Sequence, residues 1–129
     1  MPKSPEMKYC VHFIFKDNKV LLLKRTLTNP FYPGIWTPVV GKIKPNEKPN
    51  LAVIRETKEE TSIKLDKPQF VKHCTFDNDE YWFYQSKTKG SEISLNHEND
   101  HYDFFEKDNL PENLWSFFKA ELNDLWLLS

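Results

Sequence analysis

From Pro49 to Thr61 the chain reads PNLAVIRETKEET, a run with no internal glycine or proline and rich in strong helix formers. Pro49 suits the first helical position, where its missing N–H is no loss. At 3.6 residues per turn, Glu56, Glu59 and Glu60 fall within about a 100° arc. Val53, Ile54 and Thr57 occupy the adjoining arc and are expected to face a core. The run therefore predicts a helix packed on one side, with three acids along the edge of that side. Carboxylates at spacings of three and four repel one another. A hard divalent cation removes that repulsion, and Mg²⁺ favours carboxylates together with substrate phosphate oxygens. Taken alone, the three glutamates are equally compatible with a solvated acidic helix face.

The rest of the chain supplies strands around this helix. Lys8 to Phe15 and Val20 to Arg25 are β-rich runs flanking the polar turn Lys16-Asp17-Asn18-Lys19, which predicts a hairpin. Asn29-Pro30-Phe31-Tyr32-Pro33-Gly34 predicts a loop. A short apolar piece, Trp36 to Val40, precedes the loop that enters the helix. Gln69 to Phe76 and Tyr81 to Gln85 predict a second strand pair across Asp77-Asn78-Asp79-Glu80, and Tyr102 to Phe105 a further short strand. Leu114, Trp115, Phe118, Leu122, Leu125 and Trp126 recur at helical spacing, so an amphipathic helix is expected at the C-terminus. Strands on both sides of a central helix, closed by another helix, indicate an α/β or α+β fold.

A length of 129 residues predicts one domain, residues 1–129, able to bury a real core. The net charge of −1 gives no reason to expect a nucleic-acid polymer or an anionic membrane as partner. No apolar stretch approaches twenty residues, and no secretory signal pattern stands at the N-terminus. Cys10 and Cys74, the two cysteines, each lie in a strand-like segment and are expected to be reduced and buried. Together these features place the protein in the cytoplasm.

Around the acidic helix the spacing is more specific. Gly41 is followed after five residues by Glu47, after seven more by Arg55-Glu56, and then by Glu59-Glu60. This pattern resembles the signature of the Nudix hydrolases, enzymes that cut phosphoanhydride bonds in substrates built on a nucleoside diphosphate. Two positions depart from it: Thr57 fills an aliphatic slot and Ser62 replaces the final glycine. Thr57 retains a β-branched methyl toward the core, and Ser62 need only allow the helix to end. The resemblance extends over most of the chain and implies the Nudix α/β/α sandwich, with a mixed sheet and a C-terminal helix.

It also implies roles. Glu56, Glu59 and Glu60 match the family's metal-binding acids, with the Gly41 carbonyl as a further ligand. The expected ion is Mg²⁺, with Mn²⁺ as the alternative. Arg55 is expected to orient a neighbouring glutamate through a bidentate pair, and Glu47 to fix the loop between Gly41 and the helix. Glu98, in Leu95-Asn96-His97-Glu98-Asn99-Asp100-His101-Tyr102, is the candidate general base, with Asp100 behind it. The alternative is a polar surface loop. His97 and His101 lack a third ligand at zinc spacing and are read as loop histidines. His73, in a strand beside Cys74, is read as structural.

The expected substrate is a small nucleotide. Arg25, Phe31 and Trp36 are its candidate binding residues, and Tyr32 adds an aromatic to the same loop. Stacking on a base and simple packing both remain open for these aromatics. Gly41-Lys42-Ile43 is similar to the MutT-like nucleoside triphosphate pyrophosphatases. Trp36-Thr37-Pro38, Arg55-Glu56-Thr57 and Leu95 to Glu98 look like diadenosine tetraphosphate hydrolases. Val39-Val40-Gly41 with Thr61-Ser62-Ile63 resembles dihydroneopterin triphosphate pyrophosphatases. Val39-Val40 replaces the Pro-Gly usual before the signature glycine in MutT-like enzymes, which points to a generic nucleoside triphosphate pyrophosphohydrolase. The rival from another class is a Nudix-fold module that binds a nucleotide without cutting it; the intact helix glutamates favour the enzyme. The family often forms homodimers, although no segment here marks an interface.

Overall fold

The computed structural model describes residues 7–30, 32–65, 67–90 and 92–127. Strand β1 (Lys8–Lys16) turns through Asp17 and Asn18 into β2 (Lys19–Arg25). Both turn residues have positive φ, 51° and 66°. This is the two-residue hairpin geometry whose twist matches the flanking strands, and Asp and Asn tolerate it best after glycine. A second hairpin repeats the device. Asp77 and Asn78, at φ 51° and 70°, join β5 (Gln69–Phe76) to β6 (Asp79–Lys87). The turn is tighter than the sequence predicts, so Asp79 and Glu80 belong to the strand.

β3 (Trp36–Thr37) and β4 (Val39–Lys42) form from the apolar piece, and β7 spans Asn99–Phe105. β7 starts three residues earlier than its apolar pattern predicts, because Asn99 pairs with Arg25 of β2 across a register shift at Lys24/Arg25. Asp100 and His101 are therefore strand residues and not part of a loop.

Among the described residues, seven strands join one mixed sheet in which β1 is central. β1 runs parallel to β6 from Lys8 to Phe15 and divides its other edge between two partners. Its first half pairs with β4, placing Cys10 opposite Gly41; its last residues pair with β2. β2 goes on to pair with β3 and β7. The sheet thus parts between β4 and β2, and the site lies beside that division.

Alternate residues of β1 point to opposite faces. Val11 and Phe13 pack with Tyr81 and Phe83 against Phe118, Leu122 and Leu125 of the C-terminal helix α2 (Ser116–Leu127). Cys10, His12 and Ile14 face the other way. Cys10 packs with Ala52 and Val53 of the central helix α1 (Pro49–Thr61), and Ile14 packs with Ile63 just past its end. A helix on each face makes the α/β/α sandwich. α2 begins at Ser116, later than its apolar spacing predicts, because Leu114 forms a bridge with Trp36. Among the described residues, no helix is long and apolar enough to cross a membrane.

α1 ends at Ser62, which takes the left-handed conformation at φ 67° and donates its N–H to Lys58 O at 2.9 Å. That is the cap geometry glycine adopts most readily. Thr57 is wholly buried, and its hydroxyl, not only its methyl, determines its fit. Thr57 Oγ1 lies 2.7 Å from His12 Nδ1, and His12 Nε2 lies 2.6 Å from Ser86 Oγ. Both hydroxyls can donate or accept, so a neutral imidazole is satisfied in either tautomer. Burial lowers the His12 pKa from 6.5 to about 3, which keeps the ring neutral.

Candidate active site

The three helix glutamates lie on an arc that runs from core to solvent. Glu60 is only 2% exposed, the Glu56 side chain 12% and the Glu59 side chain 51%. Burial holds the Glu60 carboxyl well above its ordinary range, reinforced by the charges of Glu56 and Glu98. Glu56 is also raised, by burial first, against the opposing pull of Arg55. Asn99 Nδ2 is 3.5 Å from Glu60 Oε1, while Glu60 Oε2 and Asn99 Oδ1 have no hydrogen-bond partner among the described residues. Glu56 and Glu60 lie within hydrogen-bond reach of one another, and with both carboxyl groups ionised this is a costly arrangement for protein atoms alone. It suits a hard cation, which would supply the missing charge.

Gly41 is what allows Glu56 its position. A Cβ on residue 41 would overlap the Glu56 carboxyl group. Cys10 sits opposite, and its Sγ–H donates to Gly41 O at 3.6 Å. Burial, with the Glu56 and Glu60 charges behind it, pushes the Cys10 thiol up to about 12. The thiol therefore remains a donor. Cys10 and Cys74 are both free, and Cys74 is only half-buried where full burial is expected from sequence.

Arg55 ties the loop to the helix. Its Nε and Nη2 donate to Glu47 Oε2 and Oε1 at 2.8 and 2.9 Å, a fork-to-carboxylate pair. Nη1 reaches Glu56 Oε1 at 2.8 Å and Glu59 Oε2 at 3.3 Å, and Nη2 reaches Lys42 O at 3.0 Å. The hydrogen bond from Arg55 is the main reason the Glu47 pKa drops to about 2. Glu47 Oε1 also accepts the Lys44 N–H at 3.0 Å, which closes the loop after Gly41. Arg55 thus pairs with Glu59 on the solvent side of the helix. Among the described residues, no three carboxylate, imidazole or thiol groups converge as a ready metal cage. Glu56 and Glu60 are brought together; Glu59 is not.

A cavity of about 570 Å³ opens beside these acids. Gly41, Glu56, Arg25 and Glu98 line one part of it, and Tyr9, Tyr32, Tyr81 and Trp115 line another. Glu98 is held by its backbone: its carbonyl accepts from Thr26 N at 3.1 Å, and its N–H donates to Asn96 Oδ1 at 3.1 Å. Asp100, expected behind it, is exposed on β7 and bonded to His101 at 2.8 Å. His97 lines the cavity, whereas His73 stacks on Trp82 at the surface.

Phe31 lies outside the described residues. Trp36 is placed elsewhere: it stands edge-on to Phe105 at 5.0 Å and does not line the cavity. The aromatic wall is built instead from Tyr32 stacked on Trp115 at 5.6 Å and Tyr9 stacked on Tyr81 at 5.3 Å. Tyr9, Tyr81, Trp115 and Asn99 were not among the residues that the sequence pattern singles out for the site. Tyr9, Tyr81 and Asn99 come from three different strands and Trp115 from the segment just before α2, so only the tertiary fold assembles them.

The family model for the NUDIX domain matches residues 8–125. The MutT protein of Methanosarcina mazei Go1 superposes with a TM-score of 0.79 at 20% identity, covering 100% of both chains. A MutT NUDIX hydrolase of Burkholderia pseudomallei gives 0.78 at 23% identity, over 91% of this chain and 95% of that one. An Ap4A hydrolase of C. elegans gives 0.73 at 21% identity, over 93% and 96%. At such identities the structural likeness establishes the fold. A comparison with curated proteins found no match.

Proposed function

The chain belongs to the Nudix family, hydrolases acting on pyrophosphate bonds, and from that premise we propose that it is a Mg²⁺-dependent nucleoside triphosphate pyrophosphohydrolase, one domain acting in the cytoplasm. The observation that carries this reading is the buried Glu56–Glu60 pair, with its orphaned oxygen, beside Gly41 at the wall of a nucleotide-sized cavity. The Gly41 carbonyl, Glu56 and Glu60 would hold the ion, with Glu59 joining once it leaves Arg55. Bound there, Mg²⁺ or Mn²⁺ would neutralise diphosphate oxygens and polarise the phosphorus.

The chain's own groups do the rest. Arg55 and Glu47 keep Glu56 in place. Arg25 offers positive charge to phosphate oxygens from the cavity wall. Glu98 takes a proton from water, whose oxygen forms a new bond to phosphorus as the bond to the bridging oxygen breaks. No covalent enzyme intermediate forms. The aromatic wall offers faces on which a base can stack.

The test is a panel of nucleoside triphosphates, dinucleoside polyphosphates, dihydroneopterin triphosphate and nucleotide sugars incubated with Mg²⁺. Release of pyrophosphate and nucleoside monophosphate from triphosphates is expected. Turnover confined to dinucleoside polyphosphates would shift the assignment toward the activity named for the C. elegans relative. No turnover of any member, with Glu59→Gln binding nucleotide as wild type does, would leave a binding module. Glu98→Gln is expected to lower turnover on the order of 10²–10⁴-fold with little change in nucleotide affinity. Unchanged turnover would remove Glu98 as the base.

A further inference from the structure

The cavity contains a carboxylate that the hydrolytic chemistry leaves unused. Asp79 opens β6 and lines the cavity with Tyr9, Tyr32, Tyr81 and Trp115. It lies two residues before Tyr81, on the same face of the strand. Its charge reaches both neighbouring phenols: Tyr9 and Tyr81 are pushed up by burial first and by Asp79 second. Both hydroxyls therefore stay protonated, and the carboxylate is the strongest acceptor on this wall.

Strand register places Asp79 well away from the helix acids. Gly41 lies opposite Cys10, which lies opposite Trp82. Asp79 is three residues along β6 from Trp82 and two strands across from Gly41. At ordinary strand spacings that is about 10 Å along and about 10 Å across, or roughly 14 Å between the two backbones. An extended nucleotide with its diphosphate at the Glu56 end brings its base to the Asp79 end.

We propose that Asp79 determines base specificity, favouring a ring edge with two adjacent N–H donors. This inference rests on the nucleotide-hydrolase reading above. The 2-amino-4-oxopyrimidine ring shared by guanine and pterins has that edge, a ring N–H beside an amino group, and a carboxylate can accept from both. Uracil and thymine place one N–H between two carbonyls, which a carboxylate repels. Adenine and cytosine place an acceptor next to their amino group. A hydrogen-bonding site rejects such rings because its own acceptor is left unpaired.

Asp79 also has a local duty, since Oδ1 accepts the Met7 N–H at 3.1 Å. Asp79→Asn keeps an acceptor for that bond and turns the other oxygen into a donor, so the hairpin is preserved while the edge preference changes. The experiment compares kcat/KM for GTP, dihydroneopterin triphosphate and UTP in wild type and Asp79→Asn. Binding of GMP and UMP without metal is followed in parallel by tryptophan fluorescence. Wild type is expected to prefer the donor-edge substrates over UTP by roughly 10–100-fold, the discrimination of one good bidentate pair. In Asp79→Asn that ratio should fall to within about threefold, with UTP turnover raised as the repulsion is removed. The GTP and pterin arms separate the two sources of the shared edge. A wild type without the preference, or an Asp79→Asn variant that keeps it, overturns the inference. If no triphosphate is turned over by either protein, the triphosphate pyrophosphohydrolase reading fails, and the GMP-to-UMP binding ratio still decides the role of Asp79.

Discussion

Replacing His12 by Gln should change how stability depends on pH more than any other single substitution on the α1 face of the sheet. In the folded chain burial holds the His12 pKa at about 3, against an ordinary 6.5. Between those values the unfolded chain carries a proton on His12 that the folded chain lacks. Stability is therefore fully present above about pH 6.5 and is lost as pH falls, at about 1.4 kcal/mol per unit. From pH 7.5 to 4.5 about two full units of this window are crossed, costing roughly 3 kcal/mol. For a chain of this size that lowers Tm by roughly 10 °C. Glu56 and Glu60 act in the opposite sense: their raised pKa values cost stability as pH rises from the ordinary carboxylate range through the folded values. The raw wild-type profile mixes both effects, and the difference between wild type and His12→Gln isolates the histidine. At pH 7.5 the variant should be less stable by about 1–3 kcal/mol, because an amide replaces an imidazole fitted to Thr57 and Ser86. By pH 4.5 that gap should close or reverse. Thermal unfolding followed by circular dichroism at four pH values measures it. Parallel curves for the two proteins would refute the buried neutral histidine.

Ser62→Gly should raise Tm by roughly 2–4 °C, since the left-handed cap costs a side chain about 1–2 kcal/mol and glycine returns about half of that as chain entropy; a lower Tm would refute the cap argument. Arg55→Lys should weaken Mn²⁺ binding by about 10–100-fold in titration calorimetry, because an ammonium cannot reproduce the forked pair with Glu47 while still holding Glu56. Unchanged affinity would show that Arg55 does not organise the acids. Gly41→Ala should leave the protein folded by circular dichroism and reduce turnover on the order of 10²-fold, as the Cβ displaces the Glu56 carboxyl group; wild-type turnover would refute the close approach.

Features specified within a few residues were legible in the chain itself. The central helix from Pro49 to Thr61, the two hairpins and the pairing of strands with helices follow from turn chemistry and periodicity, which act locally. The signature acids were legible for the same reason, because helical spacing alone places them on one arc. Which acid is buried was not. Glu60 is buried while Glu59, about 100° further round the helix, stays half-exposed and pairs with Arg55; how far the sheet covers that arc is set by packing. Thr57 shows the limit most clearly: it breaks the aliphatic pattern of its helix, and the reason, His12, lies 45 residues away. The aromatic wall of the cavity has the same origin. Trp36 is the nearer aromatic in sequence, yet Tyr9, Tyr32, Tyr81 and Trp115 form the wall because parallel pairing of β1 with β6 and the docking of α2 bring them together. By itself, then, the sequence determined the helix, the spacing of its acids and the resemblance to the family, since those depend on short-range spacing. Only the tertiary structure decided which carboxylates share a buried site and what lines the cavity beside it, since long-range strand register and desolvation are not written in local spacing.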